Sequence, residues 1–183
     1  MQALGHWAKK PTMGQRVNHT AESLFACFEA LGISYKNHTH PAVFTVAESK
    51  SLRGQLHGAH TKNLFLRDKK KRFWLLTALE SQTIDLKNLK RYLGAQGSLS
   101  FGTAEMLEAR LGVTPGSVTP FSVINDPERA VGMLLDKQLL DIDPLNAHPL
   151  RNDMTVAISP SDLLLYLESQ KHTPDIIDFA ELT

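Results

Sequence analysis

The sequence predicts an α/β fold: a single domain with a mixed, curved β-sheet flanked by helices. Three observations lead there. Apolar runs of strand length outnumber helical segments, and the most distinct pair, Asn63–Arg67 and Phe73–Leu79, is joined by a short charged tip as a hairpin. Capped amphipathic helices separate the other runs, which makes them crossovers between strands. No repeat of 20 to 50 residues, low-complexity tract or interior linker divides the chain.

The elements follow in order. Residues 1–18 mix Gly, Pro, Lys and Gln without periodicity and read as a loose extension, so the domain is expected over 19–183. From Thr20 to Leu31 the apolar residues Leu24, Cys27, Phe28 and Leu31 recur at helical spacing, and Gly32 supplies a stop. Ile33 to His40 is extended, because Pro41 biases its predecessor away from helix. Thr45 and Glu48 have the spacing of a capping box, which predicts a short helix before Gly54. Phe73–Leu79 is apolar throughout, as in a strand buried on both faces.

Ile84–Leu93 reads as a helix stopped by Gly94, and Leu99–Phe101 as a short strand. Thr103 caps a helix that runs to Leu111 and ends at Gly112. Strands are expected at Phe121–Ile124, Ala130–Leu135, Leu139–Ile142, Asp153–Ile158 and Ile176–Phe179. Between the last two, Ser159 as cap, Pro160 at the first helical position and Asp162 in the first turn begin a helix with Leu163, Leu164 and Leu167 inward.

Composition narrows the functional classes. Twenty basic and nineteen acidic side chains give a net charge of +1, so no global field draws the protein to nucleic acid or membrane, and any such contact needs a local patch. A single cysteine excludes an intrachain disulfide and a Cys-rich zinc site, in keeping with a reducing, cytoplasmic setting. No apolar run has the length of a signal peptide or a membrane span.

The phosphate-loop, dinucleotide, zincin and serine-hydrolase motifs are all missing. Cys27 lies on the apolar stripe of its helix, where a structural thiol is the simpler reading than a nucleophile. His38, His40, His57 and His60 crowd into 23 residues, yet no pair has i, i+4 helical spacing and no carboxylate accompanies them. They read as loop histidines, with no metal and no other cofactor expected.

Three features remain. Lys62 opens an apolar strand, where a cation is well placed to meet an anion. Lys69, Lys70, Lys71 and Arg72 fill a hairpin tip, which fits either a solvated turn or a phosphate contact. His148 precedes Pro149 just ahead of a strand, a position suited to presenting a side chain at a sheet end. Between helix and strand, Gly112–Phe121 packs two glycines and two prolines into ten residues, a loop whose shape is set by sequence.

These residues also form a pattern. Thr61-Lys62-Asn63-Leu-Phe-Leu-Arg-Asp, Trp74-Leu-Leu, Leu99-Ser-Phe101, Leu111 to Phe121, Ile124-Asn-Asp126 and His148-Pro-Leu-Arg-Asn152 closely resemble, in order and spacing, the YbaK/PrdX family of prolyl-tRNA editing domains. The similarity runs from about Ala21 to Phe179 and is greatest to the free-standing PrdX branch, through the Lys-Asn-Leu-Phe-Leu strand, the His-Pro-Leu segment and the Asp-Leu-Leu helix. One departure is Met154-Thr-Val156, where related sequences more often read Thr-Thr.

The resemblance implies a metal-independent aminoacyl-tRNA deacylase. Its substrate would be the acceptor end of tRNA(Pro) carrying a wrong amino acid, chiefly alanine, with cysteine or another small residue as the nearest alternative. Prolyl-tRNA synthetase is an implied partner; a non-catalytic tRNA- or synthetase-binding module is the rival class. Lys62, Gly116 and His148 are the implied catalytic residues, with Lys62 serving the terminal nucleotide and His148 lining the pocket. Asn63, Ser117, Val118, Thr119 and Pro120 would bind substrate, the Gly116–Thr119 amides facing the ester carbonyl. Arg67, Lys69, Lys70, Lys71 and Arg72 would meet tRNA. An aminoacyl ester is already activated, so such a site needs placed water and oxyanion donors more than a strong nucleophile.

Overall fold

The structure, a computed structural model, describes residues 18–41 and 56–182. The expected extension, apart from Asn18, and the helix before Gly54 lie outside the described residues. Among the described residues four α-helices, α1 (Ala21–Leu31), α2 (Leu86–Tyr92), α3 (Ala104–Leu111) and α4 (Pro160–Ser169), pack against eight strands. These are β1 (Tyr35–Thr39), β2 (Ala59–Arg67), β3 (Phe73–Leu79), β4 (Ser100–Phe101), β5 (Val131–Asp136), β6 (Leu145–Ala147), β7 (Met154–Ile158) and β8 (Asp175–Ile177).

The helix ends follow from their caps. Thr20 and Ser23 form a reciprocal capping box on α1. The Thr103 hydroxyl accepts from Met106 N at α3, and the Ser159 hydroxyl accepts from Asp162 N at α4. Gly32 and Gly112 close α1 and α3 in the left-handed conformation.

The sheet is mixed, in the order β1-β7-β6-β2-β3-β5-β8. β2 and β3 pair antiparallel as the predicted hairpin, whereas β6 joins β2, β5 joins β3 and β8 joins β5 in parallel. β2 is longer than its sequence suggests, so Lys62 stands inside the strand, opposite Ala78, rather than at its start. The cause is Gly58. A Cβ there would come within 2.1 Å of Pro144 O, and this close approach lets Ala59 N donate to that same oxygen at 2.9 Å.

One edge of β2 serves two partners. Ala59 and His60 pair with β6, Leu66 and Arg67 pair with β4, and the middle of the strand lies between them. Thr61 closes one side by donating from its hydroxyl to Asn146 O, and Gly102 N closes the other by donating to Phe65 O. The sheet is therefore split along Lys62, Asn63 and Leu64.

Alternation sends neighbouring side chains to opposite faces. Phe65, Leu75 and Leu135 face the larger core, which α1, α3 and α4 cover with Leu24, Phe28, Leu111 and Tyr166. Leu66, Leu76 and Leu134 face the smaller core, filled by Leu89 of α2 and by Ala95, Leu99 and Ile177.

Two expected strands are not strands. Pro120–Asn125 is a 3₁₀ helix with all six residues buried, started by Pro120 and by Thr119 Oγ1, which accepts from Phe121 N. The β propensity of Val123 and Ile124 yields there to packing in the core. Lys137–Asp141 is also 3₁₀, because the Asp136 carboxylate caps Gln138 N and turns the chain out of the sheet. Conversely, β6 has no expected counterpart, and Tyr166, fully buried, is the inward residue of α4 that the leucine spacing missed.

Candidate active site

Three segments carry the residues expected in the site. The first is β2 itself, where Lys62 is half-buried and its ammonium donates to the Gln82 carbonyl just after β3. Asn63 points the other way, and its Oδ1 accepts from the fully buried Thr77 hydroxyl at 2.7 Å. The adjacent residues thus serve opposite faces, Lys62 as a tethered cation and Asn63 as a fixed polar group within the sheet.

The second segment is the loop after α3. Ser117 N donates to Thr114 O at 3.0 Å, and Gly116 at the third turn position has φ of 91°, so Pro115-Gly116 is the centre of one tight turn. Gly112 stops the helix, and Pro115 belongs with Gly116 in the turn that follows. Beyond the turn the loop dives inward: Gly116 is exposed, Val118 half-buried, and Ser117, Thr119 and Pro120 buried. The Ser117 amide is committed to the turn, whereas among the described residues the Gly116, Val118 and Thr119 amides donate to no other backbone group.

The third segment is the loop 148–153. His148 Nδ1 lies 2.8 Å from Met154 O; a carbonyl only accepts, so Nδ1 carries the proton there. Carried two residues on, the parallel β2/β6 register sets His148 level with Lys62. The His148 ring is 6.3 Å from that of His40, whose Nε2 meets the Thr155 hydroxyl at 3.0 Å and whose Nδ1 meets Pro41 O at 2.8 Å. A Cβ on Gly116 would lie 3.9 Å from Asn152 Nδ2, so the two loops face one another.

Of the residues expected to act together, Gly116 and the His148 loop are neighbours, Lys62 is anchored separately to Gln82, and Asn63 is turned into the sheet. His40, Thr155 and Asn152 were not foreseen, and nothing in their local sequence marks them: they matter through contacts far apart in the chain. The histidines are not a loop cluster. His38 lies in β1 and His60 in β2, where its Nε2 meets Leu56 O at 3.2 Å. Among the described residues no three His, Cys, Asp or Glu side chains are grouped to hold a metal. Cys27 is half-buried, accepts from Gln170 Nε2, and has its thiol pushed up by burial, the opposite of an activated nucleophile.

The basic tip has an acidic centre. Asp68 is 1% exposed, not part of a solvated turn, and accepts from Lys70 N and Arg72 N with Oδ1 and from Gln96 N and Arg72 Nε with Oδ2. Burial alone would raise its carboxyl, but these donors and the Arg72 charge hold it down to about 2. Lys69, Lys70 and Lys71 are thereby fanned outward and exposed, while Arg72 lies over the Trp74 ring at 5.2 Å. Arg67, half-buried, has its Nε without a partner among the described residues.

The site that emerges offers backbone amides, a cation and imidazoles around a split sheet, a set suited to stabilising a developing oxyanion. The chain itself belongs to a known class. Residues 40–165 match the family model described as the aminoacyl-tRNA editing domain, and the chain belongs to that family. Among its relatives, the prolyl-tRNA synthetase associated domain-containing protein 1 of Danio rerio is 40% identical over 142 residues, covering 76% of this chain and 77% of the relative. The prolyl-tRNA editing protein ProX of Acetoanaerobium sticklandii is 34% identical over 153 residues, covering 83% of this chain and 93% of the relative. A crystal structure given the provisional title of trans-editing enzyme for prolyl tRNA synthetase has the same fold, with a TM-score of 0.67 at 22% identity over 88% of this chain and 97% of that one. Among the described residues no helix is long and apolar enough to cross a membrane.

Proposed function

We propose that this chain is a trans-editing hydrolase that removes alanine from mischarged tRNA(Pro). The observation that carries the reading is the meeting of the Gly116 turn with the His148 loop. An exposed turn with uncommitted amides is a ready oxyanion site, and one such donor is typically worth about 10²–10³ in rate. Lys62 supplies a fixed positive charge at the level of His148, matching a terminal nucleotide phosphate or ribose.

Among the described residues the site holds no activated nucleophile, and in this reading water attacks the ester carbonyl directly. The vicinal hydroxyl of the terminal ribose orients that water, the uncommitted amides of the Gly116–Thr119 loop receive the charge that builds on the carbonyl oxygen, and the ester oxygen leaves with a proton as free tRNA. Selectivity follows from size. A synthetase site shaped for proline cannot reject alanine strongly, since a missing methylene is worth only about 1–3 kcal/mol, and a second, smaller site must remove the error. The acceptor stem lies along the Lys69–Lys71 tip, and prolyl-tRNA synthetase, which the relatives' names mention, is the partner that supplies the substrate. The test is Ala-tRNA(Pro) whose terminal ribose lacks the vicinal hydroxyl. Hydrolysis should fall to near the uncatalysed rate; hydrolysis at the normal rate contradicts the mechanism.

A further inference from the structure

The outward face of β1, β7 and β6 carries a cavity of about 280 Å³, lined by Lys36, His38, His57 and Asn146 and floored by Pro144 and Ala157. Asn146 precedes His148 by two residues, but neither His148 nor the Gly116 loop lines the cavity. Asn146 is 4% exposed, and its Nδ2 donates to His57 O at 2.9 Å and to Ala59 O at 3.3 Å. Those two carbonyls fix the orientation of the amide, since a flipped group would set oxygen against oxygen. Among the described residues, its Oδ1 is then a buried acceptor with no partner. Such an atom costs free energy unless a donor reaches it from elsewhere.

The rest of the lining says what that donor belongs to. Lys36 and His57 are exposed and His38 half-buried, so three nitrogen-bearing side chains and no carboxylate surround the opening. An anion fits them, and a hydroxyl or amine on the same molecule fits Asn146 Oδ1. The volume is at the small end of the range for ligand pockets. We infer that this cavity is a nucleotide subsite, holding one phosphate against Lys36, His38 and His57 and a ribose hydroxyl or base amine against Asn146 Oδ1.

On the editing reading, on which this identification of the occupant rests, it receives a nucleotide of the tRNA 3′ strand ahead of the esterified one. His38 is held below its ordinary pKa by burial, then by Lys36 and His40, so an incoming phosphate both relieves that repulsion and favours the protonated ring. Binding therefore tightens as pH falls toward 6.

The test titrates the full ¹⁵N-labelled chain with cytidine 5′-monophosphate, cytidine and inorganic phosphate. The nucleotide should shift the Asn146 side-chain amide, bind at least about tenfold tighter than either fragment, and weaken about tenfold in the double variant K36A/H38A. That variant should also raise KM for Ala-tRNA(Pro). An unmoved Asn146 amide at saturating nucleotide, or inorganic phosphate binding as tightly as the nucleotide, overturns the subsite. The two readings fail separately. If the chain hydrolyses no aminoacyl-tRNA yet the nucleotide shifts Asn146, the subsite stands with a free nucleotide as its source. If hydrolysis proceeds while KM is unmoved and Asn146 is silent, the subsite alone is wrong.

Discussion

Gly116 faces Asn152 without crowding: a Cβ built on the glycine would lie 3.9 Å from Asn152 Nδ2, an ordinary contact distance. Any harm from a side chain there comes from the backbone, not from crowding. At φ of 91° an alanine is strained, at a cost of roughly 1–2 kcal/mol, which the loop relieves by rotating the peptide that would face the ester. Gly116→Ala should lower single-turnover deacylation by about tenfold or more while the thermal transition moves little. An unchanged rate would remove the loop's oxyanion role.

Lys62 is held by one carbonyl, that of Gln82, on the edge of the smaller core. Lys62→Ala removes a charge without opening a cavity among apolar side chains, so the fold persists and far-ultraviolet circular dichroism is unchanged. Deacylation should be largely lost. Lys62→Arg keeps the charge but changes its shape and should recover only part of the rate.

Asp68 gathers the tip. Its folded carboxyl is depressed to about 2, so the stability it contributes is complete above the ordinary carboxylate range and is lost as pH falls from about 4 toward 2. Asp68→Asn should therefore lower the melting temperature at pH 7 and flatten its acid dependence, because the amide brings N–H groups against the Gln96 or Arg72 donors. A variant melting like the parent at both pH 7 and pH 3 would contradict this account.

Lys69, Lys70 and Lys71 are the part of the tip free to meet phosphate; Arg72 is committed to Asp68 and Gly94 O and is best left in place. Changing the three lysines to Gln should weaken tRNA binding and reduce the slope of log K against log salt by about two to three. A slope identical to the parent's would make the tip a solvated turn.

How much of this was legible in sequence depended on range. Thr103, Gly112 and Ser159 announce helix ends because a cap is settled within a single turn of chain. Phe73–Leu79 announces a buried strand because its composition is uniform. By contrast β6 is only Leu-Asn-Ala, too short for a period, and it is a strand because Gly58 lets β2 come close to Pro144. Val123 and Ile124 have strand character, but Pro120 and the core impose a 3₁₀ turn. In the candidate site, the Gly116 turn and the His148 loop were legible as shaped segments from their prolines and their motif. The Lys62 tether to Gln82, the His40–Thr155 pair and the unpartnered Oδ1 of Asn146 were not, since each depends on chain segments that only folding brings together.

Tyr166 tests the larger core. Its hydroxyl, fully buried, donates to Phe121 O at 2.6 Å, and its ring packs edge-on against Phe28 and Phe121. Tyr166→Phe keeps the packing and strands the carbonyl, which should cost about 1–3 kcal/mol in denaturant unfolding. Because Phe121 follows directly on Pro120, a fall in deacylation rate alongside that loss would mean that the core also sets the active loop.

The most direct test of the central claim is the initial rate of deacylation by the wild-type chain across tRNA(Pro) charged with alanine, cysteine, serine or proline, with Lys62→Ala run in parallel. The account predicts rapid release of alanine, slower release of the other small residues, no release of proline above background, and loss of alanine release in the variant. Equal release of proline, or full alanine release by Lys62→Ala, would contradict it.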